Sequence, residues 1–295
     1  MSEAIYETNL PNMHSRGKVR DSYDLGDKLL IVTTDRISAY DSILPDPIPR
    51  KGEVLSRLSE FWFEKTTHIV PNHLIAMVND VDQLKEYFDD PPQYLVGRSM
   101  IVKKAKVINI ECVVRGYITG SAWSEYQKTG MVNGITLAKG LVESAQLVEP
   151  MFTPTTKADS GHDEPLTIKE MIDIVGADLT RELIKYTVGI YKYAEEYARE
   201  QGILIADTKL EFGIVDDKVI LVDEILTPDS SRFWDMATYK PGQSQDSYDK
   251  QGVRDYLVQS GWDKEPPAPK LPQDVIERTT QRYVEAYRRI TGKDL

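Results

Sequence analysis

Four scarcities narrow the reading before any motif does. The chain has a single cysteine, Cys112, in 295 residues, which excludes an intrachain disulfide and fits a reducing compartment. Its four histidines, at 14, 68, 73 and 162, form no HExxH or comparable zinc spacing, and no Ser/His/Asp arrangement has supporting context. No apolar run approaches a membrane span, and the polar start MSEAIYETNL is no signal peptide, so a cytoplasmic location is expected. Positive charge is also in deficit: 36 Lys and Arg against 47 Asp and Glu leave a net charge of −11. That balance argues against nucleic acid or an anionic membrane as partner, and it obliges any anionic small molecule to find a local basic patch.

What is present is ordinary for a soluble enzyme, with 41% hydrophobic and 28% charged residues in a chain longer than one typical domain. The N-terminal third reads as β-rich, with a hairpin of VRDSYDL and KLLIVTT around Gly26-Asp27. An amphipathic helix follows at EVLSRLSEFWFEKT, carrying Leu55, Leu58, Phe61 and Trp62 on one side. LIAMV, SMIVKKA and VINIECVVR read as strands, and Asp89-Asp90-Pro91-Pro92 is the clearest break. Thr167 and Glu170 make a capping box, a longer helix occupies about 178–200, and a last helix spans 274–290 after loop-rich, Pro-rich sequence. Strands first, then mixed strand and helix, predict α+β in two lobes, 1–95 and 96–295.

Residues 203–235, ILIADTKLEFGIVDDKVILVDEILTPDSSRFWD, carry the densest chemistry. On a period-two strand Asp207, Lys209 and Glu211 share one face, while Ala206, Thr208, Leu210 and Phe212 take the other. The return strand VILVDEI brings back Asp223 and Glu224. Glu211 and Asp223 share a face only if paired residue numbers sum to an even value, which a three-residue turn centred on Asp217 provides and a two-residue turn at Asp216-Asp217 does not. Such a face suits a divalent cation and a phosphate; a solvated hairpin of alternating charge is the plainer alternative.

Three further blocks bear on anions. Gly17, Lys18, Arg20 and Asp21 form a glycine-containing basic turn, neither a Walker A loop nor a full GxGxxG. The strand KLLIVTT runs into Asp35, Arg36, Ser38 and Asp41. In VVRGYITGSAWSEYQKTG a strand ends at Arg115, and Ser121 is placed to cap the next helix, a ready anion site. Lys157 lies in the polar loop TPTTKADSGHDEP, and Cys112 reads as a small core residue.

ADTKLEFG with DEILTPDSSRFWD resembles a signature of the phosphoribosylaminoimidazole-succinocarboxamide synthase (SAICAR synthetase) family. SRGKVRDSYDLGDKLLIVTTDRISAYD at 15–41, IECVVRGYITGS at 110–121 and MFTPTTKADSGHDEPL at 151–166 match further blocks in the family's order, over nearly the whole chain. The resemblance implies a two-lobed fold with an ATP cleft similar to those of protein kinases and ATP-grasp enzymes, plus a C-terminal helix. It implies a ligase that joins L-aspartate to the carboxylate of carboxyaminoimidazole ribotide (CAIR) through an acyl phosphate, with ATP as co-substrate and Mg²⁺. Gly17, Lys18, Arg20 and Lys157 then contact ATP; many members carry lysine where this chain has Arg20. Asp35, Arg36, Ser38 and Asp41 lie on the substrate side, and Arg115, Ser121 and Arg232 hold the ribotide phosphate. Glu211 and Asp223 hold the metal, Lys209 stands near the developing anion, and Asp207 orients the ribotide. The long form resembles members that act as monomers. The alternatives are a small-molecule kinase sharing the cleft and a non-catalytic nucleotide-binding module.

Overall fold

The computed structural model describes residues 4–157 and 163–295, so His162, expected on an exposed loop, lies outside the described residues. Strand β1 (Met13–Arg16) turns through Gly17–Val19 into β2 (Arg20–Asp24), and β2 returns through Gly26-Asp27 into β3 (Lys28–Thr33), the expected hairpin. A short hairpin follows, β4 (Ser38–Ala39) and β5 (Ser42–Ile43). It turns at Tyr40 and Asp41, both at positive φ. Helix α1 (Lys51–Thr66) buries Leu55, Leu58 and Trp62, as its periodicity predicts, and leaves Phe61 half-buried. Strands β6 (Leu74–Met77) and β7 (Ser99–Lys103) complete an antiparallel sheet in the order β1-β2-β3-β7-β6. Because β7 lies between β3 and β6, this sheet draws on residues past 95, where the first lobe is expected to end.

The second sheet is built on long β8 (Lys106–Tyr117). Helix α2 (Gly120–Thr129) and a small hairpin of β9 (Met131–Val132) and β10 (Ile135–Thr136) follow. Strands β11 (Gln146–Phe152) and β12 (Thr155–Thr156) both pair with β8. Helix α3 (Ile168–Val175) starts at the predicted capping box: the Thr167 hydroxyl accepts from the Glu170 amide at 3.2 Å, and the Glu170 carboxylate accepts from the Thr167 amide at 2.8 Å. Helix α4 (Ala177–Glu200) leads into β13 (Ile203–Val215), β14 (Lys218–Val222) and β15 (Ser231–Asp235), with β13 central between β8 on one side and β14 and β15 on the other. Two helices close the chain, α5 (Gln251–Gln259), which lies mostly between the loop-rich and the Pro-rich stretches, and α6 (Gln273–Thr291).

One apolar core runs through both sheets, joining Met100 and Val102 of β7, Leu58 and Trp62 of α1, Cys112 and Val114 of β8, Leu210 and Phe212 of β13, and Tyr283 and Ile290 of α6. The C-terminal helix is therefore part of the core. Fully burying side chains of this size contributes about 1.5–3 kcal/mol each, which anchors α6 firmly.

The β13–β14 register corrects the turn expectation. Val215 pairs with Lys218 and Glu211 with Val222, so the connection is the two-residue turn Asp216-Asp217, with φ of 50° and 58°. Aspartate tolerates the left-handed region, and a turn with both central residues there matches the twist of the flanking strands. Paired numbers sum to 433, which is odd, and regular alternation would send Asp223 to the face opposite Glu211.

Candidate active site

Three strands assemble the centre of the site. On β13 the apolar face predicted from sequence is buried, and Asp207, Lys209 and Glu211 occupy the other. Cross-strand partners share a face, and the register puts Arg115 of β8 and Arg232 of β15 on either side of Asp207. The Asp207 carboxylate accepts from the Arg115 guanidinium at 3.0 Å and is also ion-paired with Arg232. Arg115 donates further to Thr153 Oγ1 at 3.0 Å and to Ser121 Oγ at 3.2 Å. The three residues expected to hold a phosphate therefore meet around one carboxylate.

Ser121 reaches this cluster from a different position than the one predicted. Thr119 is the N-cap of α2, without a side-chain cap bond, and Ser121 lies in the first turn. Gly120 has φ of 57°, and a Cβ there would stand 2.6 Å from the Arg232 guanidinium, so glycine leaves the space in which Arg232 lies.

Two positions along the same face, past Lys209, Glu211 pairs across strands with Glu111 of β8. Two buried carboxylates directly opposed would repel. Lys209 lies between them, 2.5 Å from Glu111 and 3.0 Å from Glu211, and Lys157 is ion-paired with Glu211 from the other side. Burial alone would lower the Lys209 pKa, but the charges of Glu211 and Glu111 outweigh it and hold the ammonium well above its ordinary value. Glu111 was not singled out from sequence, although one signal was available: an acid inside the apolar run VINIECVV, with the same strand parity as Arg115.

Asp223 joins the cluster by a backbone device. Strand β14 ends at Val222, and Asp223 has φ of 65°, so the alternation that would turn it away stops one residue before it. Its carboxyl lies within the field of Lys209 and Lys157, the same two lysines that contact Glu211. Burial would raise its pKa; the charges of Arg20 and Lys209 overcome this and hold it well below the ordinary carboxylate range. Arg20 is ion-paired with Asp223 and lies 2.5 Å from Glu224, tying the first hairpin to the second sheet.

Among the described residues no group of three or more His, Cys, Asp or Glu side chains could hold a metal ion. Two carboxylates nevertheless suffice for Mg²⁺, which keeps several waters and takes its remaining ligands from substrate phosphates. Glu211, which contacts Lys209 and Lys157, and Asp223, which feels the charge of both, are the two carboxylates that would hold it.

The remaining expected residues divide into two groups. Lys18 is ion-paired with Asp41, and both line a cleft of about 810 Å³ together with Ser38, Lys209 and Arg232. Asp35 and Arg36, expected on the substrate side, lie inside the fold. The Asp35 carboxylate is fully buried and accepts from the amides of Ile5 and Gly52, both at 2.8 Å, with Arg98 at 3.0 Å. Arg36 pairs with buried Asp21 at 2.7 Å and donates to the carbonyls of Gly17 at 3.0 Å and Lys18 at 3.1 Å. Arg36 braces the basic turn and Asp35 ties the N-terminal segment to the start of α1 and to Arg98, so neither faces the cleft; every polar atom buried at that strand end needs a partner. Glu143, Lys250, Gln251 and Arg254 also line the cleft, and nothing in the local sequence marks them.

An α+β fold with a cleft of this size, lined by alternating cations and carboxylates on rigid strands, defines an enzyme of small anionic substrates. The sequence matches the SAICAR synthetase family profile over residues 13–269. It is 52% identical to the phosphoribosylaminoimidazole-succinocarboxamide synthase of Thermodesulfovibrio yellowstonii over 294 residues, covering 99% of this chain and 100% of the relative. It is 51% identical to the protein of that name from Desulforapulum autotrophicum, again over 99% and 100% of the two chains. The solved SAICAR-synthase from Saccharomyces cerevisiae complexed with SAICAR superposes with a TM-score of 0.90 at 46% identity, covering 99% of each chain. The chain belongs to the SAICAR synthetase family, ATP-dependent ligases that couple aspartate to CAIR in purine biosynthesis. That membership leaves the kinase alternative without support.

Proposed function

We propose that this chain makes SAICAR from CAIR, L-aspartate and ATP by the residue roles that follow. A carboxylate is a poor acylating agent because its leaving group would be oxide. Transfer of the terminal phosphoryl of ATP to the CAIR carboxylate releases ADP and gives an acyl phosphate. Attack by the aspartate amine then forms the amide and releases phosphate, with two protons lost from the starting ammonium. Neither step needs an enzyme nucleophile; both need alignment and charge neutralisation.

Gly17 lets the basic turn approach the nucleotide, and Lys18, Arg20 and Lys157 offset its phosphate charge. Arg115, Ser121 and Arg232 hold the ribotide phosphate, with Asp207 orienting both guanidinium groups. Lys209 stands beside the anion that develops on the CAIR carboxylate, while Ser38 and Asp41 border the side where the amine arrives. Glu211 and Asp223 would hold Mg²⁺, whose charge when bound neutralises the phosphates and the carboxylate they meet. The reading places the enzyme in the cytoplasm as a monomer, with a nucleotide-covering lobe built on the N-terminal sheet and a ribotide-binding lobe built on the second sheet.

The observation that carries this reading is the row Arg115–Asp207–Arg232 set two positions, with Lys209 between, from Glu211 on a single sheet face. It supplies an anion-binding group and a carboxylate-lysine centre side by side, as the two ends of a phosphorylated ribotide require. ADP release measured with CAIR and, in turn, aspartate, glutamate or no amine tests it. ADP formation that requires aspartate is expected; ADP formation indifferent to the amine overturns the reading.

A further inference from the structure

The segment between β14 and β15, residues 223–230, begins with the carboxylate that the proposed roles give to Mg²⁺, and its backbone is strained. Asp223 and Leu226 both have positive φ, 65° and 51°. Aspartate tolerates that region, but for an ordinary side chain the left-handed conformation costs about 1–2 kcal/mol. Such a backbone persists only where the surrounding structure over-determines it. Whatever holds the segment therefore also sets where Asp223 lies.

Two sets of contacts do so. The first is local: Thr227 Oγ1 donates to the Glu224 carboxylate at 2.6 Å and accepts from the amides of Asp229 at 3.2 Å and Ser230 at 3.3 Å. The second reaches across the molecule. Asp229 Oδ2 lies 2.8 Å from the ammonium of Lys51, at the start of α1, and Asp229 Oδ1 accepts from the Tyr283 hydroxyl of α6 at 2.7 Å. One oxygen faces each helix, which fixes the carboxylate in orientation as well as position. Lys51 and Tyr283 are both fully buried, so their effect on the cleft must pass through Asp229. Tyr283 belongs to the main apolar core, and its hydroxyl cannot shift without unpacking that core.

We propose that Asp229, gripped by Lys51 and by the Tyr283 hydroxyl, is a positioning residue for the metal site: it locks 223–230 in its left-handed backbone and thereby places the Asp223 carboxylate. This assignment rests on the ligase reading given above and on the metal role of Asp223 within it. It gives the C-terminal helix a part in the reaction, although among the described residues none of α6 lines the cleft. Arg232 is held separately, by the pairing of β15 with β13 and by Asp207, so the ribotide side of the cleft does not depend on the lock.

The test uses the full-length chain and two variants. Tyr283→Phe removes the hydroxyl alone. In the substrate-free protein it should speed hydrogen exchange at the amides of Asp229, Ser230 and Ser231, which bond to Thr227, relative to the β13–β14 ladder. The Mg²⁺ concentration that half-saturates the protein–ADP complex, read by calorimetry, should rise about tenfold, the low end of what outer partners of a metal ligand contribute. ADP affinity without metal and the KM for CAIR should stay within about twofold of wild type. Lys51→Met/Asp229→Leu, which replaces the buried ion pair by apolar groups, should show the same rise in the Mg²⁺ requirement at near-normal stability. A merely structural tie would instead restore the Mg²⁺ response along with the stability. An unchanged Mg²⁺ requirement in either variant, or an equal loss of metal-free ADP affinity, overturns the assignment. If Tyr283→Phe does not fold, the double variant carries the comparison. Wild-type ADP release that ignores aspartate is a different failure: it removes the ligase reading, while the calorimetry still decides the lock.

Discussion

Arg20 and Asp223, 203 residues apart, form an ion pair that closes the first hairpin onto the end of β14. The pair joins the two sheets at the point where nucleotide phosphates and metal are proposed to meet. Under the proposed roles each partner would have a second task, Arg20 toward phosphate and Asp223 toward Mg²⁺. Glu224, 2.5 Å from Arg20, gives the guanidinium a second carboxylate partner.

From this follows an expectation for Arg20. Arg20→Ala should raise the KM for ATP at least about tenfold and lower thermal stability, because it removes the guanidinium that pairs with both Asp223 and Glu224. Arg20→Lys keeps the charge but loses the fork that spans two carboxylates. It should restore stability more fully than it restores the KM for ATP, as read by thermal melts beside steady-state assays.

Glu211→Gln and Asp223→Asn should each lower kcat by about 10²–10³, the usual loss when preorganised charge stabilisation is removed. Melting temperatures should move little for Glu211→Gln, since Lys209 keeps Glu111 as partner at 2.5 Å. Normal turnover in a destabilised Glu211→Gln protein would mark the cluster as a structural ion network instead.

Lys51 is fully buried with its ammonium 2.8 Å from Asp229. Lys51→Met should cost about 3–5 kcal/mol of stability by stranding a buried carboxylate, measured by urea unfolding, and Lys51→Met/Asp229→Leu should recover much of it. The pH dependence has a definite sign. Burial would raise the Asp229 pKa, but Lys51 and then Lys250 outweigh it and hold it below the ordinary carboxylate range. Its contribution is thus present above that range and lost as pH falls through the depressed folded value. Wild-type acid unfolding should show this loss, and Lys51→Met should not.

Cys112 is inaccessible on β8, and burial pushes its thiol up to about 12. A raised thiol pKa stabilises the fold below the unfolded value, and that contribution is lost as pH rises toward 12. At mildly alkaline pH an aromatic disulfide reagent should label the native protein only as fast as it opens, and should label it at once in denaturant. Fast stoichiometric labelling of native protein would contradict the buried placement.

How much of the site was legible in sequence varies residue by residue. The face shared by Asp207, Lys209 and Glu211 follows from period two alone, and the fold keeps it. The partnership of Glu211 with Asp223 was argued from a turn that does not form. A type I′ turn at Asp216-Asp217 reverses the parity, and the left-handed backbone of Asp223 brings the carboxyl back to the cluster. Propensity does not announce a positive φ at a particular aspartate; surrounding structure imposes it. Asp35 and Arg36 look like ligand contacts because polar residues at a strand end suit either role, and only their hydrogen-bond partners show that Arg36 braces the basic turn and Asp35 the start of α1.

The local terms, then, were available from the chain alone: strand alternation, the Thr167–Glu170 cap, the apolar stripe of α1, the acidic balance that demands a localised basic site. These depend on neighbours a few residues away, whose geometry is set by the backbone. The Arg115–Asp207–Arg232 row, the opposition of Glu111 and Glu211, and the delivery of Lys250 and Arg254 to the cleft were decided by tertiary structure. Each depends on strand register or helix docking between segments well separated along the chain, and such pairings are selected by burial of the whole core rather than by any local preference.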